Sequence, residues 1–364
     1  MAERVFVHIG LPKTATTYLQ TILWSSREQL RADGVLLPGA ERRDHLWTSR
    51  IVRDDPNVGN RLPRERTAWD RLQDEIGRWR GNALISHEFF AAASAEQATR
   101  MVEQLAPASV ELVVTAREPL GLFTASWQES LKNKATTPMA DYSRTVSERP
   151  MDIWNWRTLD LRLVLERWSQ AVPHERIHVL PLDTSAPREE IWHRFAGLLG
   201  LSAEAYDLSR SFPNESMGVV EAETLRRVNH HLTSFKKAFD KGVYIRTFLA
   251  DERLVPRGGE KFWPAADRVA ECRERGEQAI AWLQEHPVDV VGDVEHLRVP
   301  AELPRRRTPE SVTDAEVAGV ATELVAVLLG DVRELRSAKG RGQQQPASPS
   351  SRRWLRWLRR TGGR

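Results

Sequence analysis

Short runs of β-branched and aromatic residues recur along the N-terminal half of the chain, each followed by a stretch whose apolar positions fall three and four residues apart. R-V-F-V-H-I, Arg4 to Ile9, has the first pattern, and Tyr18, Leu19, Ile22 and Leu23 have the second, so a buried strand passes into a helix beginning near Thr16. The same pairing continues. G-V-L-L-P from Gly34 precedes a helical stripe of Trp69, Leu72, Ile76 and Trp79, and A-L-I-S-H from Ala83 precedes a helix around Met101. V-E-L-V-V-T, Val110 to Thr115, leads to a helix opened by Pro119 and running to Lys132. A helix through Leu161, Leu165 and Trp168 then gives way to the strand R-I-H-V-L-P-L from Arg176 and a helix around Trp192. Alternation of this kind predicts an α/β fold, a mostly parallel sheet with helices on both faces. From about Asn214 the pattern turns helical, with Val228, Leu232 and Phe235 as one stripe.

In such sheets ligands bind beyond the carboxyl ends of the strands, and chemistry-bearing residues collect there. Gly10 to Thr17, G-L-P-K-T-A-T-T, forms the first strand-to-helix turn. The first amides of a helix lack internal partners and sit at the positive end of its dipole, and Lys13 adds a full charge, so the turn is a cradle for an anion. It is not a nucleotide-triphosphate loop of the G-x-x-x-x-G-K-[ST] kind, because Gly10 stands only three residues before Lys13 and a second glycine is missing. Thr14, Thr16 and Thr17 suit a single phosphate. Arg117 ends the strand from Val110, which sets a guanidinium beside that site. Ser86, His87, Glu88 and Asp183 occupy further strand ends.

P-K-T-A-T-T-Y-L, Pro12 to Leu19, resembles the 5′-phosphosulfate loop of bacterial-type members of the sulfotransferase family, usually P-K-[ST]-G-T-T-[WYF]-L. The resemblance implies a P-loop-like fold and 3′-phosphoadenosine 5′-phosphosulfate (PAPS) as donor, with sulfuryl transfer to a hydroxyl or amine and no metal. It makes Pro12, Lys13, Thr14, Ala15, Thr16 and Thr17 the 5′-phosphate loop, with Lys13 neutralising the leaving oxygen. Ala15 stands where the family usually has glycine, and a backbone there that tolerates a Cβ is expected. Arg117 matches the family's 3′-phosphate arginine. The family's partner hydroxyl lies eight residues on, at Ala125, between Thr124 and Ser126, and Ser126 is preferred. His87 matches the position of a catalytic histidine and is the first candidate for the base that takes the acceptor proton; Glu88 is second and His45 third.

Two rival readings remain. In a metal-dependent kinase, Asp183 would hold magnesium; in a non-catalytic scaffold, the altered loop would mark a lost donor site. The acceptor is open among small-molecule, carbohydrate and lipid classes, with Trp127, Trp154 and Trp156 as pocket candidates, and the oligomeric state is open as well.

Composition narrows the setting. The 364 residues and 41% hydrophobic content suffice for a full core, and the single Cys272 excludes an internal disulfide framework. No apolar run is long enough to span a membrane, and the amino terminus runs into the first strand without a signal-peptide pattern, which points to the cytoplasm. Arg336 to Arg364 holds nine basic and no acidic residues, so the net charge of +3 leaves −6 for the rest and argues against nucleic-acid binding. Residues 1–339 read as the sulfotransferase-like domain. Gly340 to Ser351 has linker composition, and Arg352 to Arg364 is a basic amphipathic tail suited to peripheral contact with anionic lipid, or a dispensable terminus.

Overall fold

The computed structural model describes residues 1–209 and 216–342, which divide into two units between Ser311 and Val312. The first unit is built on six parallel strands: β1 (Arg4–His8), β2 (Val35–Leu36), β3 (Asn82–Ser86), β4 (Ser109–Ala116), β5 (Ile177–Pro181) and β6 (Asp289–Val290). Their order is β2-β3-β1-β4-β5-β6. The α/β class expected from the alternation is therefore the observed one. Short β2 and β6 close the two edges, limiting the backbone left open to pairing with another chain.

Alternation along each strand sorts the core. In the register Phe6 faces Leu84, and His8 lies beside Ser86 on one side and Val113 on the other. Phe6, Leu84, Val113 and Leu180 pack on one face against Leu19, Ile22 and Leu23 of the Thr16–Ser25 helix and Trp192 and Phe195 of the Glu190–Leu198 helix. Val5, Val7, Ile85, Leu112 and Val114, on the opposite face, are also buried. A strand buried on both faces reads as a continuous apolar run, which is why these segments were recognisable.

The later chain departs from expectation. β6 falls within the stretch expected to be helical, and the stripe Val228, Leu232, Phe235 is only partly buried. The Val219–His231 helix instead buries Val219, Ala222, Leu225 and Asn229. Asn229 Nδ2 donates to the carbonyls of Leu131 and Ala135, both at 2.8 Å, so a polar residue occupies the inward face and hides it from a hydrophobicity reading. A π-helix follows at Lys241–Leu254, then the Ala266–Glu285 helix. The second unit contributes the Asp314–Gly342 helix. Its residues 340 to 342, expected to begin the linker, continue that helix. Positions 343–364, with the rest of the linker and the basic tail, lie outside the described residues. Among the described residues no helix is long and apolar enough to cross a membrane.

Three buried imidazoles gather where β1 and β3 end. His8 and His45 are fully enclosed and His87 nearly so. Burial, aided by the charge of His87, lowers His8 to about 3; burial outweighs carbonyl contacts to lower His45 to about 4; burial, partly countered by Glu88, lowers His87 to about 4. All three are neutral in the folded protein, while the unfolded chain protonates them near 6.5. The unfolded state therefore binds more protons below that value, and stability present above pH 6.5 is lost as pH falls toward 4. Each histidine contributes about 1.4 kcal/mol per pH unit across that window. Urea unfolding at about pH 7 and pH 5.5 should show a drop of several kcal/mol. Equal stability at the two values would mean the imidazoles are charged in the native state.

Candidate active site

The order β3-β1-β4 makes β1 the strand from which the chain crosses to both sides, and a crevice opens beyond such a point. Parallel pairing continues past the end of β1: Ile9 N donates to Val113 O at 2.9 Å and Leu11 N to Thr115 O at 2.7 Å. The backbone then turns sharply, with positive φ at Gly10 (57°), Lys13 (71°) and Ala15 (61°). Gly10 is required by space as well, since a Cβ there would stand 2.7 Å from Thr16 Oγ1.

Ala15 contradicts the expectation of a Cβ-tolerant backbone, because it caps the Thr16–Ser25 helix in the left-handed region. An L-residue pays about 1–2 kcal/mol for that conformation. Two non-glycine residues held there, two positions apart, mark a loop whose shape the surroundings enforce. Among the described residues, nothing accepts the backbone amides of Lys13 to Tyr18, so six consecutive donors are available at the helix start.

The loop opens on a cleft of about 1100 Å³ lined by Lys13, Ala15, Thr16 and Thr17 together with Glu88, Arg117 and Thr124. Arg117 comes from the end of β4, where Glu118 caps the Pro119–Lys132 helix by accepting the Gly121 amide at 2.8 Å. A Cβ at Gly121 would collide with the Glu118 carboxylate and the Arg117 guanidinium, so glycine makes room for both. Arg117 Nε is buried without a hydrogen-bond partner, 3.6 Å from Glu118 Oε1. An unpaired buried guanidinium nitrogen is costly, and a bound anion would satisfy it.

Several expected residues lie elsewhere. Ser126 is buried behind the helix with its Oγ 2.6 Å from the Tyr142 hydroxyl, whereas Thr124 faces the cleft, its Oγ1 donating to Leu120 O at 2.9 Å. The helix phase separates them: two residues are 200° of rotation, so both cannot face the same side. Pro12 and Thr14 are buried under the loop rather than exposed to the cleft. His87 Nδ1 accepts the Phe89 amide at 3.1 Å, which leaves the proton on Nε2 and no lone pair to receive another. Glu88, by contrast, lines the cleft with a buried and unpartnered Oε2. His45 is consumed by the Ser86 amide and the Pro38 carbonyl. Asp183 Oδ1 accepts from Ser185 and Ala186 in a local turn, and among the described residues no cluster of three metal-ligating side chains occurs. Of the three tryptophans only Trp154 lines the cleft; Trp127 and Trp156 are fully buried, the latter stacked on Phe123.

The sequence reading missed Glu129, Lys132, Arg246, Lys261, Trp263 and Arg306 on the cleft wall. Glu129 matters most. Its almost fully buried carboxylate takes Lys13 Nζ at 3.0 Å on one oxygen and pairs with Arg246 of the π-helix on the other. Burial pushes the Glu129 carboxyl up, but the charges of Lys13 and Arg246 outweigh it and hold it below its ordinary value. Position 129 follows Arg117 by twelve residues on a helix whose other residues are mostly apolar, and a lone glutamate deep in such a helix was the available signal.

Ala15→Gly removes a Cβ from a left-handed position. Relief of about 1–2 kcal/mol is offset by about 0.5–1 kcal/mol of added backbone entropy in the unfolded chain, so denaturant unfolding should show a net gain of about 0.5–1 kcal/mol. A loss of stability would mean that the Cβ packing of Ala15 outweighs its backbone strain.

No protein-family model matches this chain, and no curated protein and no solved structure matches it.

Proposed function

We propose that the chain is a PAPS-dependent sulfotransferase. The observation that carries this reading is the run of unpartnered amides from Lys13 to Tyr18, on a left-handed loop, opening on one cleft with the unpaired Arg117 Nε. One anion-binding loop and one separate guanidinium suit a nucleotide with single phosphates on its 5′ and 3′ positions. The resemblance of Pro12 to Leu19 to the sulfotransferase loop supports the same assignment.

In this reading the loop amides and Lys13 hold the 5′-phosphate, while Arg117 and the Thr124 hydroxyl, turned from Leu120 O to the donor, hold the 3′-phosphate. Lys13 leaves Glu129 for the donor, and Glu129 keeps its charge balanced by Arg246. The acceptor oxygen or nitrogen bonds to sulfur, the sulfur–oxygen bond to the 5′-phosphate breaks, and the electron pair goes to that phosphate. The transition state is loose by analogy with phosphoryl transfer, so positioning and charge stabilisation carry the rate. Glu88 takes the acceptor proton, because it reaches the cleft and the His87 ring has no free lone pair. Phe89, Trp154 and Trp263 provide aromatic surface for the acceptor.

Calorimetry with 3′,5′-adenosine bisphosphate in EDTA, against ATP with magnesium, tests the reading. Binding of the bisphosphate alone is expected; ATP–magnesium binding would favour a kinase, and binding of neither would leave a scaffold. Arg117→Ala should weaken the bisphosphate about 10- to 100-fold, the equivalent of about 1.5–3 kcal/mol for a charge-assisted bond, and leave 5′-AMP nearly unchanged. Equal weakening of both would make Arg117 structural. Lys13→Ala should lower the transfer rate about 10²–10³-fold in a folded protein. Glu88→Gln should lower the transfer rate about 10²–10⁴-fold while keeping bisphosphate affinity; a parental rate would remove Glu88 as the base.

A further inference from the structure

The second unit carries an apolar surface that the donor site does not use. Val325, Leu329, Val332 and Leu335 of the Asp314–Gly342 helix are between 44% and 65% exposed. Large apolar residues clustered on the solvent side of one helix mark an interaction surface, and three of the helix's exposed residues, Val325, Val327 and Val332, are also β-branched residues of lower helix propensity. Their spacing is specific. Val325 and Val332 are seven apart, as are Leu328 and Leu335, which gives valine at the first and leucine at the fourth position of two successive heptads, preceded by Ala318 and Ala321. Valine at the first position with leucine at the fourth favours a parallel two-stranded coil. Charge agrees with the parallel arrangement. Asp331 occupies the seventh position of one heptad and Arg336 the fifth of the next, the two sites that meet across a parallel pair, and they carry opposite charges.

We propose that the Asp314–Gly342 helix pairs in parallel and in register with the same helix of a second copy of this chain, through Val325, Leu328, Val332 and Leu335. The seam presents the same residues from both copies, as a two-fold interface requires. Dimerisation then brings two donor sites into one particle without altering either.

Sedimentation velocity of the full chain at tens of micromolar should give a dimer, and V332K/L335K should give a monomer whose bisphosphate affinity stays within about twofold of the parent, the affinity serving as the check on folding. Register is read by L335C: because Cys272 is buried, mild oxidation should yield a disulfide-linked dimer through position 335 alone. A full chain that is monomeric at that concentration overturns the proposal, as does a V332K/L335K variant that remains dimeric. Linkage of A318C to L335C between copies, without linkage of L335C to itself, would show antiparallel helices and overturn it equally.

Discussion

The shape of the loop that carries Lys13 depends on a chain of buried hydrogen bonds beneath it. One direction of donation satisfies every member: Ser86 hydroxyl to His8 Nδ1 (2.8 Å), His8 Nε2 to Thr115 Oγ1 (3.2 Å), Thr115 to Thr14 Oγ1 (2.8 Å), and Thr14 to Leu11 O (2.6 Å). The chain ties β3, β1 and β4 to the loop at the point where all three strands end. It works only with a neutral His8, because a second ring proton would leave Ser86 facing a donor, and burial supplies that neutrality. With Thr14 held below, Lys13 and Ala15 on either side of it take left-handed conformations, and the amides from Lys13 to Tyr18 are left without an acceptor among the described residues. Strain in the loop is thus held in place by a satisfied polar core.

Above the loop the governing term is electrostatic. Glu129 is a buried carboxylate with two cations, Lys13 and Arg246, drawn from a strand-end loop and from the π-helix. Removing one partner of a buried charge is expensive unless another remains, and Arg246 is the partner that remains when Lys13 engages an anion. A second ion pair, Lys132 to Asp251 at 2.5 Å, fastens the same π-helix to the same Pro119–Lys132 helix. The far wall of the cleft is therefore attached through charges that an arriving anion would redistribute, and the proposed donor would be felt there without a change in the sheet.

By itself the sequence determined five of the six strands and their common direction, because residues buried on both faces of a parallel sheet must be continuously apolar and their connections must be helices; the two-residue edge strand β6 carries no such run. It also determined that Lys13 and Arg117 stand at strand ends, since each follows its apolar run directly. Tertiary structure decided which side of each helix the polar residues face. Thr124 and Ser126 are equivalent in sequence, and only the packing of the Pro119–Lys132 helix turns one to the cleft and the other to Tyr142. The roles of His87 and Glu88 were likewise undecidable from adjacent letters, because they rest on which lone pair the Phe89 amide consumes. Glu129 and Arg246 meet across 117 positions of chain, and polar Asn229 sits on the inward face of the Val219–His231 helix because its partners are backbone carbonyls. Local pattern records what one segment buries; which groups satisfy one another across segments is set only when the chain has closed on itself.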